Sequence, residues 1–156
     1  MPVLTRARSF TDGTVAFTWN PVPGATAYQL WLSTDGRTWD ASDARTIATT
    51  SHRAGGLATG PIYGRVVAFN AQGWSAPSDV FAARVDTVGP RILLVDGNDR
   101  WDTQFENSRG LGHDFAVDTA HTLGTHSFDS VANEAISQVN LSDYEAVVWI
   151  LSLIHI

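Results

Sequence analysis

Thr14-Val15-Ala16-Phe17-Thr18-Trp19, the breaker Pro21-Val22-Pro23-Gly24, and then Tyr28-Gln29-Leu30-Trp31-Leu32 decide the fold of the first half of the chain. In both runs apolar and polar residues alternate, and a period of two places Val15, Phe17 and Trp19 on one face of a half-buried strand. Working outward, Thr34-Asp35-Gly36-Arg37 reads as an Asp-Gly hairpin turn. A polar stretch then leads to Ile62-Tyr63-Gly64-Arg65-Val66-Val67-Ala68-Phe69, the turn Asn70-Ala71-Gln72-Gly73 and a last strand near Val80 to Val85. Turn signals recur at intervals of roughly ten residues and no helical period competes, which predicts an all-β sandwich over residues 1–86.

Several of these residues carry a family resemblance. Trp19 lies on the second strand, Pro23-Gly24 precedes Tyr28, Leu57 stands six residues before Tyr63, and Asn70, Gly73, Ser75 and Ser78 lead into the last strand. With them, Val3 to Val85 resembles a fibronectin type III domain, an immunoglobulin-like β-sandwich. The resemblance implies structural roles for Trp19, Tyr28, Leu57 and Tyr63, with the Tyr63 hydroxyl turned back to a nearby backbone group. A sandwich of this size buries only about 60% of its extended-chain surface, so large side chains must supply much of the core. Trp31, Trp39 and Trp74 are left over. Exposed, their rings would suit stacking on sugars; otherwise they pack against a neighbouring domain or cap a sheet edge.

After Asp86 the pattern changes. Thr87-Val88-Gly89-Pro90 is a short linker, and Arg91-Ile92-Leu93-Leu94-Val95-Asp96-Gly97 is a continuous apolar run of the kind that forms a strand buried on both faces. A polar loop from Asn98 to about Gly112, helical character over His113 to Leu123, a strand at Ser127 to Val131, a short helix at Asn133 to Val139 and a strand at Ala146 to Leu151 follow. Strand alternating with helix predicts a partial α/β domain over residues 91–151.

Leu94-Val95-Asp96-Gly97 with Asp99-Arg100-Trp101, Phe128 to Ala135, and Tyr144 to Leu151 resemble the opening of a flavodoxin-like or class I glutamine-amidotransferase-like module. Such modules follow fibronectin type III repeats in secreted bacterial multidomain proteins of xanthan-lyase-like or amidase-like type. The ligand crevice of that fold lies outside the carboxyl ends of the strands, which makes Asp96, Asp99, Arg100, Asn133 and Glu134 the candidate ligand-binding residues. For Asp96 the competing use is capping the turn after its strand, and for Asn133-Glu134 it is capping and charging a helix start. The tail Ser152-Leu153-Ile154-His155-Ile156 resembles translated adapter read-through at the end of a metagenomic gene fragment, and is expected to be non-native; the alternative is a terminal strand.

Charge and motifs narrow the function. Up to Asp86 there are seven Arg against six Asp, a net +1; beyond it three Arg face seven Asp and three Glu, a net −7. Without a basic stripe, and with an acidic second half, nucleic acid is not an expected partner. Cysteine is absent, which removes disulfides, thiolate metal sites and a Cys nucleophile. Counting an EF-hand loop from Asp96 puts Arg100, Trp101 and Asn107 at the fifth, sixth and twelfth positions, where an oxygen ligand, Gly and Glu are required. His113, His121 and His126 lack the His-Glu-x-x-His spacing, and there is no Gly-x-Ser-x-Gly elbow. No catalytic residue, metal or cofactor is therefore expected within these residues.

The resemblances imply a noncatalytic spacer or interaction module of a secreted or cell-surface protein that processes polysaccharide or cell wall. Its expected partners are neighbouring domains of the same chain and extracellular glycan, with no membrane span. The alternative is the N-terminal part of a hydrolase, lyase or amidotransferase-like enzyme whose catalytic residues lie beyond the fragment.

Overall fold

The computed structural model of the chain describes residues 1–39, 45–97, 123 and 125–151. Strands β1 (Leu4–Ser9), β2 (Val15–Trp19), β3 (Ala27–Ser33), β4 (Arg45–Ile47), β5 (Ser51–Ala54), β6 (Gly60–Asn70), β7 (Gly73–Trp74) and β8 (Phe81–Val85) make a two-sheet antiparallel sandwich. One sheet runs β1-β2-β5; the other runs β4-β3-β6, with β7 and β8 in turn along the far edge of β6. The alternation read from the sequence is the one that packs: Val15 and Phe17 are fully buried and Trp19 nearly so.

Trp19 meets Tyr28 edge-on with ring centroids 5.6 Å apart, a favoured aromatic geometry. The Tyr28 hydroxyl accepts a hydrogen bond from the Val22 N–H at 2.9 Å, which fastens the proline–glycine turn to the strand that follows it. Leu57 packs half-buried on the same core, and Tyr63 is buried in a second cluster with Val80, Ala82, Leu94 and Phe128. Asp35-Gly36 is not the tip of a two-residue hairpin, because β4 begins only at Arg45. The Asp35 carboxylate instead accepts from the Thr38 and Arg37 N–H groups at 2.7 and 2.8 Å, bonds that hold its pKa far below the ordinary carboxylate range.

The edge between β7 and β8 contains Pro77, which has no N–H to give to a ladder. Ser75 and Ser78 bridge the gap. Each gives its N–H to a β6 carbonyl, of Ala68 and Val66 respectively, and each hydroxyl accepts from the N–H of that same β6 residue. Two serines thus replace a backbone pairing that the proline interrupts.

The second half adds β9 (Ile92–Gly97), β10 (Phe128–Ala132) and β11 (Ala146–Leu151), with 3-10 helices at Asn133–Gln138 and Leu141–Asp143. The three strands are parallel, with β9 between β10 and β11. The free edge of β10 then pairs antiparallel with β1, Arg6 opposite Val131 and Ala7 opposite Ser130. The result is one six-stranded sheet, β11-β9-β10-β1-β2-β5, that passes from the acidic segment into the sandwich. Leu93, Val95, Val131, Ala135 and Val139 belong to the same buried cluster as Leu4, Ala7 and Phe17. An edge strand with unpaired N–H and C=O groups is a liability, and β10 removes it for β1.

Ser130 extends the seam to the other sheet: its hydroxyl donates to the Ala82 carbonyl at 2.5 Å and accepts from the Ala82 N–H at 3.2 Å. Residues 87–90 make the short connection, in which the Asp86 carboxylate accepts from the Val88 and Gly89 N–H groups at 3.0 and 3.1 Å. Among the described residues the second half displays three parallel strands without the helical layers expected of an α/β domain, and the segment after β10 is a 3-10 helix. The expected loop, most of the expected helix at His113 to Leu123, and the tail lie outside the described residues. Leu123 itself is partly buried against Leu94 and Phe128.

Candidate functional site

The carboxyl ends of the parallel strands bring together part of the site expected from the sequence. Asp96 lies on the central strand, opposite Ala132 of β10 and Ile150 of β11. Asn133 follows Ala132 directly, so the parallel register sets Asp96 and Asn133 at the same end of the sheet. Asp96 is half-buried, whereas Asn133 and Glu134 are exposed. The N-cap of the 3-10 helix is Ala132 and no side chain caps it; Glu134 falls in the first turn, where a negative charge is favoured by the exposed N–H groups. Asp99 and Arg100 lie outside the described residues. Among the described residues no three His, Cys, Asp or Glu side chains are grouped as metal ligands.

A second polar centre is buried in the seam and escaped the sequence reading. Asp129, the second residue of β10, is fully buried. One carboxylate oxygen accepts from the Ser9 N–H at 2.6 Å and the Ser9 hydroxyl at 2.8 Å; the other accepts from the Tyr144 hydroxyl at 2.7 Å. Arg6 reaches the Tyr144 oxygen at 3.4 Å. Three donors converging on one acidic side chain satisfy the lone pairs that burial strips of water. Burial raises the Asp129 pKa, and the Ser9 and Tyr144 hydrogen bonds oppose the rise without cancelling it. The signal in the sequence was a single acid inside the otherwise small and apolar run Phe128-Asp129-Ser130-Val131-Ala132.

Tyr144 is shifted too. Burial first, and the neighbouring Asp129 carboxylate second, push its pKa from 10.0 up to about 12. The folded protein therefore keeps the phenol proton over a range in which the unfolded chain has lost it. Its contribution to stability is complete below pH 10 and is lost as pH rises toward about 12. Asp129 shifts in the same sense, so the part of its contribution that depends on protonation is complete below the ordinary carboxylate range and declines as pH rises through the folded value, while the hydrogen bonds to the carboxylate remain. We expect Tyr144→Phe to flatten the alkaline fall in the urea midpoint relative to the parent protein. Parallel curves for the two proteins across that range would rule out this role.

The three unassigned tryptophans divide. Trp31 on β3 stands opposite Arg65 on β6, whose guanidinium lies 5.3 Å from the Trp31 ring and 4.3 Å from that of Trp39. Both rings are partly buried around this cation, an arrangement that stabilises by cation–π attraction; burial lowers the Arg65 pKa. Trp74 is different, being 54% exposed at the tip of the β6–β7 hairpin. With Phe69, Asn70, Gln72 and Ser75 it lines a shallow cleft of about 180 Å³.

Solved structures similar to this chain are fibronectin type III domains and proteins that contain them. A β-1,2-glucanase from Parabacteroides distasonis matches over 55% of this chain at 22% identity with a TM-score of 0.48, and the match spans 12% of the glucanase. An Fn3-like protein from Clostridium thermocellum matches over 52% of this chain and 90% of its own at 27% identity and a TM-score of 0.42. The fibronectin type III domain of human fibronectin type III domain containing protein 3 matches over 55% and 84% at 18% identity and a TM-score of 0.44. No family model matches the sequence, and no curated protein does. Among the described residues, no helix is long and apolar enough to cross a membrane.

Proposed function

We propose that the chain is a noncatalytic interaction module in which a fibronectin type III sandwich (residues 1–86) holds the start of an α/β domain (residues 91–151) in a fixed orientation. The observation that carries this reading is the pairing of β10 with β1, locked by Asp129. A spacer joined only by residues 87–90 would let its neighbour swing; a shared sheet and a shared core do not. The order β10-β9-β11, with the first strand of the segment in the centre, supports a flavodoxin-like continuation, since doubly wound sheets of that class open in the order 2-1-3.

The parent protein is, on this reading, a secreted or cell-surface bacterial protein that processes polysaccharide or cell wall. The position of Asp96 at the carboxyl end of the central strand supports a second reading, in which the segment begins a hydrolase or amidotransferase-like enzyme. Its ligand would then lie against Asp96, between the carboxyl ends of β9 and β11, where the strand order reverses. Incubating the purified chain with xanthan, β-glucans and peptidoglycan tests the noncatalytic assignment. Neither reducing ends nor free amine should appear above a no-protein control. Turnover that purifies with the chain and is lost on Asp96→Ala would replace the first reading with the second.

A further inference from the structure

The cleft at the β6–β7 hairpin has a composition that selects a ligand. Trp74 stands directly across the ladder from Phe69, the ring centroids 4.7 Å apart and the planes inclined at 45°. As a cross-strand pair the two rings stabilise the hairpin. That contact leaves Trp74 more than half in water, and Phe69 is 37% exposed beside it. Val22 extends the apolar wall, while Asn70, Gln72 and Ser75 form the polar part of the lining.

None of the lining residues carries a charge. The Ser75 hydroxyl is taken up by the Ala68 N–H and the Ala76 carbonyl. The Asn70 side-chain oxygen accepts from the Gln72 N–H at 2.9 Å, which directs the Asn70 Nδ2 donors elsewhere. The Gln72 carboxamide is exposed. The cleft therefore offers an aromatic platform edged by neutral amide donors and acceptors. At about 180 Å³ it is smaller than the roughly 300–1,000 Å³ pockets that enclose drug-sized ligands, and takes one ring at a time.

We propose that this cleft binds a single sugar ring of a neutral glycan. A pyranose has one face of C–H groups, polarised toward positive, that complements the negative face of an indole. Its hydroxyls, spread around the rim, match the Asn70 and Gln72 amides. A charged ligand would find no counter-charge in the lining. A nucleic acid would meet a chain of net charge −6. A proline-rich peptide needs a groove long enough for successive turns, more than a cleft of about 180 Å³ offers. The proposal deepens the interaction-module reading by naming the partner, and rests on it for biological setting but not for chemistry.

Titration of the full 156-residue chain with cellohexaose, laminarihexaose, xylohexaose and mannohexaose, followed by two-dimensional 1H–15N NMR, tests it. At least one oligosaccharide should shift the Trp74 indole N–H and the Gln72 and Gly73 amides saturably in the millimolar range. Trp74→Ala should weaken that binding by about tenfold or more, equivalent to about 1.4 kcal/mol, while the core resonances stay in place; Trp74→Tyr should restore part of it. No saturable shift with any of the four, a shift that survives Trp74→Ala, or a response at these residues to decaproline alone would each overturn the proposal. Such failures would leave the noncatalytic assignment standing, because that is judged by turnover alone.

Discussion

Asp129→Ala is expected to lower the free energy of unfolding by about 3 kcal/mol, read as a fall in the urea midpoint at neutral pH without a fall in slope. The substitution strands the Ser9 N–H, the Ser9 hydroxyl and the Tyr144 hydroxyl. Hydrogen bonds to a charged group contribute about 1.5–3 kcal/mol each, and buried donors left without an acceptor cost their full desolvation. The loss is smaller than three such bonds because removing the carboxylate also relieves its own burial, the effect that raises its pKa. Asp129→Asn keeps one acceptor oxygen and should fall between the parent and the alanine variant. A change below about 0.5 kcal/mol for Asp129→Ala, the scale of an ordinary surface substitution, would mean that the seam is not built around this side chain.

Gly64→Ala should be damaging by a different route. Gly64 sits in the interior of β6, hydrogen-bonded on both sides, with Leu32 of β3 and Phe81 of β8 as its neighbours. A Cβ there would enter the ring of Phe17, within 2.8 Å of its Cδ1 and Cζ. Phe17 is fully buried between the sheets, and a strand paired on both edges cannot retreat. Overpacking of this kind costs about 1–3 kcal/mol, and we expect the upper end. Phe17→Leu frees the space, so Gly64→Ala combined with Phe17→Leu should be less destabilised than the sum of the single variants. Strict additivity would show that the two side chains do not compete for one volume.

Both positions show what a sequence does and does not disclose. The alternation at Val15, Phe17 and Trp19 was readable as a strand because side-chain period follows backbone geometry. The continuous apolar runs at Ile92 to Val95 and Ala146 to Leu151 were readable from length and composition, but only the first is buried, since Val147, Val148 and Trp149 on the sheet's outer strand are exposed. The pairing of β10 with β1 was not readable, since the groups that make it are backbone N–H and C=O, which every residue carries. Only indirect marks existed: an acid inside the run Phe128 to Ala132, and a glycine inside the run Ile62 to Phe69, which in a strand interior signals close approach. The candidate ligand residues divide similarly. Asp96 and Asn133 share an end of the sheet because parallel strands align their carboxyl ends, which the strand–helix alternation already implied. That Trp31 and Trp39 would close around Arg65 while Trp74 stayed in water depends on long-range placement that local pattern does not encode.

Sandwich and acidic segment share one sheet and should therefore open together in native-state hydrogen exchange on the full chain. Backbone amides of β1 and β10 that bond across the seam should exchange with the same opening free energy and denaturant dependence as core amides of β3 and β6. If the amides of β9, β10 and β11 exchange through a much smaller opening while β1 to β8 remain protected, the two halves are separate units and the shared sheet does not couple them.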